Sequence, residues 1–349
     1  MKSFQIYLFI FVGTFSFSIV SNAQDDKKVM VTCVGFYNLE NIFDYQDDSL
    51  IRDEEFLPEG EKVWDSTKYA NKLHNMSRVI NEIGTKYTPH GAAVLGVCEV
   101  ENKGVLEDLV AMPVLKERDY QIVHFDSPDK RGIDVGLLYQ ERYFKLKKAV
   151  KYPLIFEDNP NYKTRDQLVV TGDMLGEDIT FIVCHWPSRW GGQTASEPSR
   201  IAAAKLSRQI IDSLMTDDPN AKIILMGDLN DDPVNVSMTE YIRAKGKKKK
   251  LEEGDLFNTF WKHYKKGNGT LAYQDAWNLF DQIVISQPFL EDDLSSFVFH
   301  EAVVFKRDWM LQKEGRFAGY PLRTHAGGKY TNGYSDHFPT YIILKKYIN

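Results

Sequence analysis

The sequence predicts an α/β (α+β) protein in which two β-sheets pack face to face with helices outside, on three observations. Apolar runs of strand length recur along the chain, nine in all, and most are continuously apolar, as strands covered on both faces are. Only two segments carry apolar residues at clear helical spacing, so helices separate some strands and not others, unlike the regular alternation of a doubly wound sheet. No Gly-rich turn follows the first strand, which counts against a nucleotide-cofactor fold. The composition suits such a fold: 43% of the 349 residues are hydrophobic and 13% aromatic, ample for a buried core and contrary to disorder.

The strand-like runs lie at 31–38, 92–99, 133–139, 168–174, 179–186, 223–228, 281–286, 297–305 and 338–344. A helix is expected over 67–84, where Leu73, Met76, Ile80 and Ile83 share one face and Gly84 supplies the stop. A second is expected over 196–215, opened by Ser196 and Pro198, with Ala203, Leu206, Ile210 and Leu214 as its inner stripe and Asp217, Asp218 and Pro219 ending it. No repeat of solenoid or propeller length is present. The lysine-rich stretch 244–254, with Lys245 and Lys247 to Lys250, reads as a solvated loop, with polyanion steering as the sharper alternative.

Residues 1–23 read as an export signal. Lys2 precedes an apolar stretch over 4–20, and Ser21, Asn22 and Ala23 supply the small residues a signal peptidase requires, leaving Gln24 as the new N-terminus. Thr14, Ser16 and Ser18 soften the stretch and weigh against a membrane anchor, and no other run is long enough to span a bilayer. The expectation is a periplasmic or secreted protein whose residues 24–349 form one catalytic domain. The whole chain carries a formal charge of −6, and loss of Lys2 with the signal makes it −7, so bulk charge gives no attraction to nucleic acid. Three cysteines, Cys33, Cys98 and Cys184, each lie inside an apolar run. Buried free thiols are the expected state, with a Cys33–Cys98 or Cys98–Cys184 bridge as the alternative.

Function is legible at the strand ends. Strand after strand finishes or begins on a polar group: Asn38, Glu99, His185, Asp228 followed by Asn230, Asp281, and Asp336 with His337 before the last strand. Any one of these, alone, is most simply a cap, a turn former or a surface charge. Together they are the inventory that hydrolysis of a phosphate ester needs. A hard cation takes carboxylate and amide oxygens. An attacking water needs an orienting base, and an imidazole facing the phosphate needs a carboxylate to fix its tautomer. The chain lacks the H-E-x-x-H, G-x-S-x-G and P-loop patterns of zinc proteases, serine esterases and NTPases.

These residues sit in strings that resemble the endonuclease/exonuclease/phosphatase superfamily. MGDLND (226–231) is similar to its G-D-x-N signature and YSDHFP (334–339) to its C-terminal S-D-H-x-P signature; FDQIVIS (280–286) resembles the strand carrying an Asp partner for the second histidine. FYNLEN (36–41) and GVCEVEN (96–102) resemble the N-terminal Asn and metal-binding Glu elements, and RGIDVGLLY (131–139) and CHWPSRWGG (184–192) the strand elements between. The strings occur in family order over nearly the whole chain after residue 23, which is far more specific than G-D-x-N alone. The nearest look is with secreted or periplasmic, endonuclease-like members.

The resemblance implies a four-layer sandwich of two mixed sheets between outer helices, and one or two Mg²⁺ (or Mn²⁺) ions. It implies Glu99 as principal metal ligand with Asn38 and Asp336 near the metal, Asp228 orienting or deprotonating water, and Asn230 on a phosphoryl oxygen or on Asp228. It further implies His337 on the phosphate with Asp281 behind it, and His185 assisting the leaving group. Asp134 is the best candidate to orient His185. Glu101 competes with Glu99, because strand alternation points both to one side. Arg165, Arg189 and Arg323 are candidate phosphate contacts, since guanidinium forks suit phosphate oxygens. Trp186 and Trp190 are candidate stacking residues, with packing the simpler role for Trp186. His74, His90, His124, His263 and His300 show no ligand spacing, while His325 lies in a loop expected to border the cleft. The expected substrate is a phosphodiester, first DNA or RNA and next a phospholipid, sphingomyelin-type or sugar-phosphate ester; a silent binding protein of the same fold is the third expectation. Nothing in the sequence points to a stable protein partner.

Overall fold

The computed structural model describes residues 28–348; the segment read as an export signal lies outside the described residues. In chain order the elements are β1 (Lys28–Ile42), α1 (Ser66–Glu82), β2 (Val94–Val100), α2 (Lys103–Val110), β3 (Tyr120–His124), β4 (Asp134–Gln140) and β5 (Lys145–Tyr152). Next come β6 (Gln167–Met174), β7 (Glu177–His185), α3 (Gln193–Asp217), β8 (Lys222–Asp228), β9 (Ala244–Lys245), β10 (Leu256–Asn258) and α4 (Trp261–Lys265). The chain continues with β11 (Leu271–Tyr273), β12 (Ala276–Asn278), β13 (Asp281–Ile285), β14 (Val298–Val304), β15 (His325–Ala326), β16 (Lys329–Tyr330) and β17 (Thr340–Ile348).

Six strands form one sheet in the order β14-β17-β1-β2-β4-β3, and seven form another in the order β5-β6-β7-β8-β13-β10-β9. Both are mixed: β1 runs parallel to β2 and β7 parallel to β8, while β1 is antiparallel to β17 and β8 to β13. Alternation decides what each face meets. Val34 and Phe36 of β1, Phe181 and Val183 of β7, Ile224 and Met226 of β8, and Ile283 and Ile285 of β13 fill the layer between the sheets. Their in-between neighbours face outward: Leu95 and Val97 against Met76, Ile80 and Leu106 of the first helical layer, and Ile182, Ile223 and Leu225 against Ala203 and Ile210 of the second. The result is the α/β sandwich of two mixed sheets with helices outside.

All nine expected strands are present, with ends shifted by a few residues. Helix α3 begins at Gln193, a turn before the expected start at Ser196. Ser196 does not cap it: its hydroxyl donates back to Gly192 O at 2.6 Å, and Arg200 Nη2 donates to Gln193 O at 3.0 Å, which secures the extra turn. Among the elements that went unrecognised in the sequence are three in the main layers. Helix α2 has only eight residues, too few to show a period, and is anchored by the Asn102 side chain accepting from Val105 N at 3.0 Å. Strand β5 is a lysine-rich edge strand, which reads as polar loop although Lys residues are what keep such an edge from pairing further. Strand β3 is short and only partly buried. Cys33, Cys98 and Cys184 are buried free thiols, as expected.

Two glycines let backbones approach. A Cβ on Gly227 would lie 2.2 Å from Cys184 O on the parallel neighbour β7, a backbone atom that cannot swing away. A Cβ on Gly96 would meet Met226 Sδ at 2.8 Å, the flexible end of a side chain across the layer. Gly227→Ala should therefore lower the melting temperature more than Gly96→Ala, with overpacking costs of about 1–3 kcal/mol expected for the former. Equal melting temperatures for the two variants and wild type in a thermal scan would contradict this account of β7 and β8.

Candidate active site

Register brings the polar strand ends together. In the second sheet His185 pairs with Asp228, and Asp228 pairs with Asp281 on its other side, so three polar groups form one row across β7, β8 and β13. Each keeps the inward-facing parity of its strand, two residues after Val183, two after Met226 and two before Ile283 respectively. Asn38 likewise follows Phe36 on β1. The row therefore projects into the interlayer at its end, where apolar packing gives way to polar side chains.

Glu99 breaks that parity. Val94 and Cys98 of β2 face the interlayer, so regular alternation would turn Glu99 outward beneath the helices. Instead the β1–β2 register shifts after Cys98, and Glu99 adopts a left-handed φ of 59°, a bulge that re-aims its side chain. Its Oε2 accepts from Asn41 N at 2.9 Å and its Oε1 from Asn38 Nδ2 at 3.4 Å. Glu101 accepts from Asp44 N at 2.6 Å, away from Asn38. The expectation that the two carboxylates share one side fails because the bulge cancels the alternation it rested on.

The remaining contacts close the cluster. Asn38 Nδ2 also donates to Asp228 Oδ2 at 3.0 Å, and Asn230 N donates to Asp228 Oδ1 at 3.0 Å. His337 Nδ1 is 2.6 Å from Asp281 Oδ2, with Nε2 3.8 Å from Asp228 Oδ2 and 4.0 Å from Asp336 Oδ1. His185 Nε2 lies 3.8 Å from Asp228 Oδ2 and 3.9 Å from Glu99 Oε1. Ser335 Oγ donates to Asn38 O at 2.7 Å and accepts from His337 N at 3.1 Å, tying the C-terminal string to β1. All eight expected residues of the polar set thus fall in one place.

Charge states follow from burial and neighbours. Burial pushes the Asp228 carboxyl up to about 7; Asp281 and Glu99 add to this and the His337 cation opposes it. Burial alone would favour neutral His337, but the Asp281 and Asp228 carboxylates outweigh it and hold the imidazole protonated well above its ordinary range. His185 goes the other way: burial, then Arg165, Arg131 and His337, keep it neutral.

Several auxiliary expectations need correction. Asp134 does not orient His185; its carboxylate accepts from Ser127 N at 2.8 Å and lies 3.0 Å from His124 Nε2. Among the described residues His185 Nδ1 has no partner. His124, Asp126 and Asp134 come within ligand reach of one another, a grouping the sequence spacing hid. Arg165 is buried and spent on Asp129 at 3.0 Å, His185 O at 3.2 Å and Trp186 O at 2.8 Å, so it props the loop beyond His185. Arg189 is similarly engaged by Asn230 O, Asp231, Asp232 and Asn235 and stacks 4.5 Å from the Phe280 ring centre. Of the three expected arginines only Arg323 reaches the centre, donating to Asp336 Oδ2 at 2.9 Å. Trp186 is core, whereas Trp190 is 89% exposed. His325 packs on Trp64 and Tyr330, and its imidazole is pushed down to about 4 by burial.

Sequence reasoning missed a second tier. Glu40, buried, accepts from Thr324 N at 2.7 Å and from Arg323 Nε at 3.0 Å. Lys72, also buried, donates to Thr324 Oγ1 and Tyr334 O at 2.7 Å each and lies 3.9 Å from Glu40. A signal for Lys72 existed: it falls on the inner stripe of α1, one turn before Met76, where a charge needs a buried partner.

The donor set suits a hard divalent cation. Glu99, Asp228 and Asp336 are carboxylates, Asn38 offers an amide, and no thiolate is among them. Asp228, Asp281 and His337 are within ligand reach of one another, and Asp281 Oδ1 is buried with no partner among the described residues.

Comparison with known proteins agrees with the geometry. The sequence profile described as "Endonuclease/Exonuclease/phosphatase family" matches residues 33–346. An endonuclease/exonuclease/phosphatase family protein from Bacteroides thetaiotaomicron is 17% identical and superposes with a TM-score of 0.54, over 92% of this chain and 97% of that one. A mannosyl-6-phosphatase from Bacteroides thetaiotaomicron is 17% identical with a TM-score of 0.53, over 90% and 99%. TDP2 from D. rerio, complexed with a single-strand DNA product, is 13% identical with a TM-score of 0.51, over 90% and 98%. No curated protein matches the chain. At these identities the likeness is one of fold.

The raised pKa of Asp228 has a consequence for stability. Its folded value of about 7 lies above the ordinary unfolded one, so its contribution is fully present below the unfolded pKa and is lost as pH rises through about 7. Asp228→Asn removes that loss. In chelator its melting temperature should equal or exceed wild type at pH 8, with the gap closing toward pH 5; a clearly lower value at pH 8 would show that the carboxylate is not strained by its burial.

Proposed function

The chain belongs to the Endonuclease/Exonuclease/phosphatase family, and from that premise we propose that it hydrolyses phosphate esters with the help of one or two bound Mg²⁺ or Mn²⁺ ions. The observation that carries this reading is the meeting of Asn38, Glu99, His185, Asp228, Asn230, Asp281, Asp336 and His337 at one end of the interlayer. Glu99 would hold the ion, with Asn38 and Asp336 beside it. A cation there supplies neutralisation of charge on the phosphoryl oxygens.

The protein's own groups do the rest. Asp228, with its carboxyl pushed up to about 7, is a base matched to neutral pH, and it takes a proton from the attacking water. Asn230 N fixes the Asp228 oxygen that must not rotate, at 3.0 Å. His337, kept cationic by Asp281, stabilises negative charge growing on the phosphate. Neutral His185, on the far side of Asp228 from Asp281 in the sheet, hydrogen-bonds the departing oxygen.

For the substrate, a phosphodiester in nucleic acid is the first reading, supported by the single-strand DNA product bound to D. rerio TDP2. A sugar-phosphate ester is the second, supported by the mannosyl-6-phosphatase of the same fold and by the charged depression that Arg131 borders. We also propose that residues 1–23 direct export, on the sequence pattern alone.

Purified protein should release phosphate or cleave diesters in a panel of DNA, RNA, phospholipid, sugar phosphate and p-nitrophenyl phosphate, with Mg²⁺ or Mn²⁺ restoring what chelator removes. His337→Ala should lower kcat by about 100- to 1,000-fold, the range for loss of one group that stabilises transition-state charge. Inertness toward the entire panel with every metal, or full activity of His337→Ala, would end the proposal.

A further inference from the structure

Beside the polar centre the 52–61 loop and Arg131 enclose an open depression of ≈ 710 Å³ walled by Arg52, Glu54, Glu55, Glu59, Glu61 and Arg131. Arg131 ties one wall of it to the site through two hydrogen bonds. Arg131 Nη2 donates to Asn41 Oδ1 at 3.3 Å, and Asn41 N donates to Glu99 Oε2 at 2.9 Å. The positive charge of Arg131 is also felt at His185. The two walls are fastened together where Arg52 N donates to Lys130 O at 2.9 Å.

Its charges are not spent on one another. Glu55 pairs with Lys62 at 3.0 Å, but among the described residues Glu54, Glu59 and Glu61 form no ion pair. The Arg52 guanidinium has no hydrogen bond or ion pair among the described residues, and that of Arg131 has only the Asn41 contact. Two guanidinium forks therefore stand beside four carboxylates, all with donor or acceptor capacity open to a ligand.

That lining selects by chemistry. A single phosphate drawn to Arg131 arrives beside Glu99 and His185. A chain of phosphates continuing across the Glu wall would meet like charges within the roughly 8–10 Å over which charge is felt at ordinary salt. No aromatic ring lines the depression, so it offers no platform for a nucleobase. What carboxylates and guanidinium groups suit together is a dense set of hydroxyls, the carboxylates accepting and the forks donating.

We propose that this depression is the leaving-group subsite for a polyhydroxylated skeleton, so that the ester cleaved is that of a sugar or polyol phosphate. The proposal rests on the phosphoesterase reading above. In the reaction a water oxygen bonds to phosphorus and the bond from phosphorus to the sugar oxygen breaks. The sugar oxygen takes up a proton, and a free hydroxyl and inorganic phosphate leave.

The test compares a hexose 6-phosphate, p-nitrophenyl phosphate and a single-stranded oligonucleotide with Mg²⁺, in wild type, Arg52→Ala and the double variant Glu54→Gln/Glu59→Gln. Wild type should turn over the hexose phosphate with the highest kcat/KM. Its ratio to p-nitrophenyl phosphate should fall about ten-fold in each variant, the effect of losing one hydrogen bond to a charged group, and chiefly through KM. The double variant should act better on the oligonucleotide than wild type does. Calorimetric titration of hexose 6-phosphate into Asp228→Asn protein, with and without the same changes, reads the subsite apart from turnover. An unchanged ratio in both variants, an oligonucleotide preferred over the hexose phosphate by wild type, or binding indifferent to Arg52 and the glutamates would overturn the subsite. Inertness toward all three esters, with hexose phosphate still bound through Arg52 and the glutamates, would overturn the phosphoesterase reading and leave the subsite standing.

Discussion

The site depends on holding several carboxylates together where water is scarce. Asp228 and Asp281 are register neighbours at the end of an apolar layer, and Glu99 and Asp336 come up to them from the other sheet. Removing such groups from water is costly unless each gains donors or a counter-charge. His337 on Asp281 and Arg323 on Asp336 supply counter-charge, and they cannot serve all the carboxylates. Much of the remaining compensation is backbone: Asn41 N donates to Glu99 and Asn230 N to Asp228. Both residues, with Glu40 and Glu99, sit at left-handed φ between 50° and 59°. Such a conformation costs of order 1 kcal/mol or more per residue away from glycine, least for asparagine. The fold bears that strain at the strand ends because the interlayer behind them is closely packed, and the strain is what turns the amides inward.

A second tier transmits this arrangement outward. The alternating charges of Asp336, Arg323, Glu40 and Lys72 run from the centre to the inner face of α1, with links of 2.9, 3.0 and 3.9 Å in turn. Glu40 is pushed up to about 7 by burial and by Asp336, and Lys72 down to about 8 by burial. Breaking one member would leave a buried charge facing an empty position, which costs more than the pair itself contributes. The tier therefore acts as a brace: it fixes Asp336 and the 323–334 loop to the first sheet, so the C-terminal string cannot drift from Asn38.

Much of this was legible in the sequence, and the parts that were not have physical reasons. Continuous apolar runs marked the strands because both sheets are covered on both faces. Polar residues at their ends marked the centre, and Asn38, His185, Asp228 and Asp281 obeyed period-two parity. Glu99 was identified by its place at the strand end, whereas the parity count that left Glu101 as its competitor could not see the bulge that separates them. Arg165 and Arg189 looked like phosphate contacts because guanidinium groups suit phosphates and carboxylates equally. Only their partners, Asp129, Asp231 and Asp232, reveal that they are structural. Lys72 and Glu40 are joined across more than thirty positions, a pairing no local pattern encodes.

The division between centre and walls explains why fold and substrate separate so cleanly. The centre is made from strand ends whose positions are fixed by register, so it depends on how the two sheets stack, and that fold is shared at 17% identity with a TM-score of 0.54. The walls are loops: 43–64, 125–133 and 186–192 carry the exposed acids, Arg131 and Trp190. A loop residue can change without disturbing the interlayer, and the charge it presents acts on whatever extends from the phosphate rather than on the phosphate itself. In this chain the wall that includes Arg131 sets four glutamates against two arginines and carries no aromatic ring. The polar centre and the acidic wall thus come from independent elements, strand ends and loops, and the charge of the second can be altered while the first is left intact.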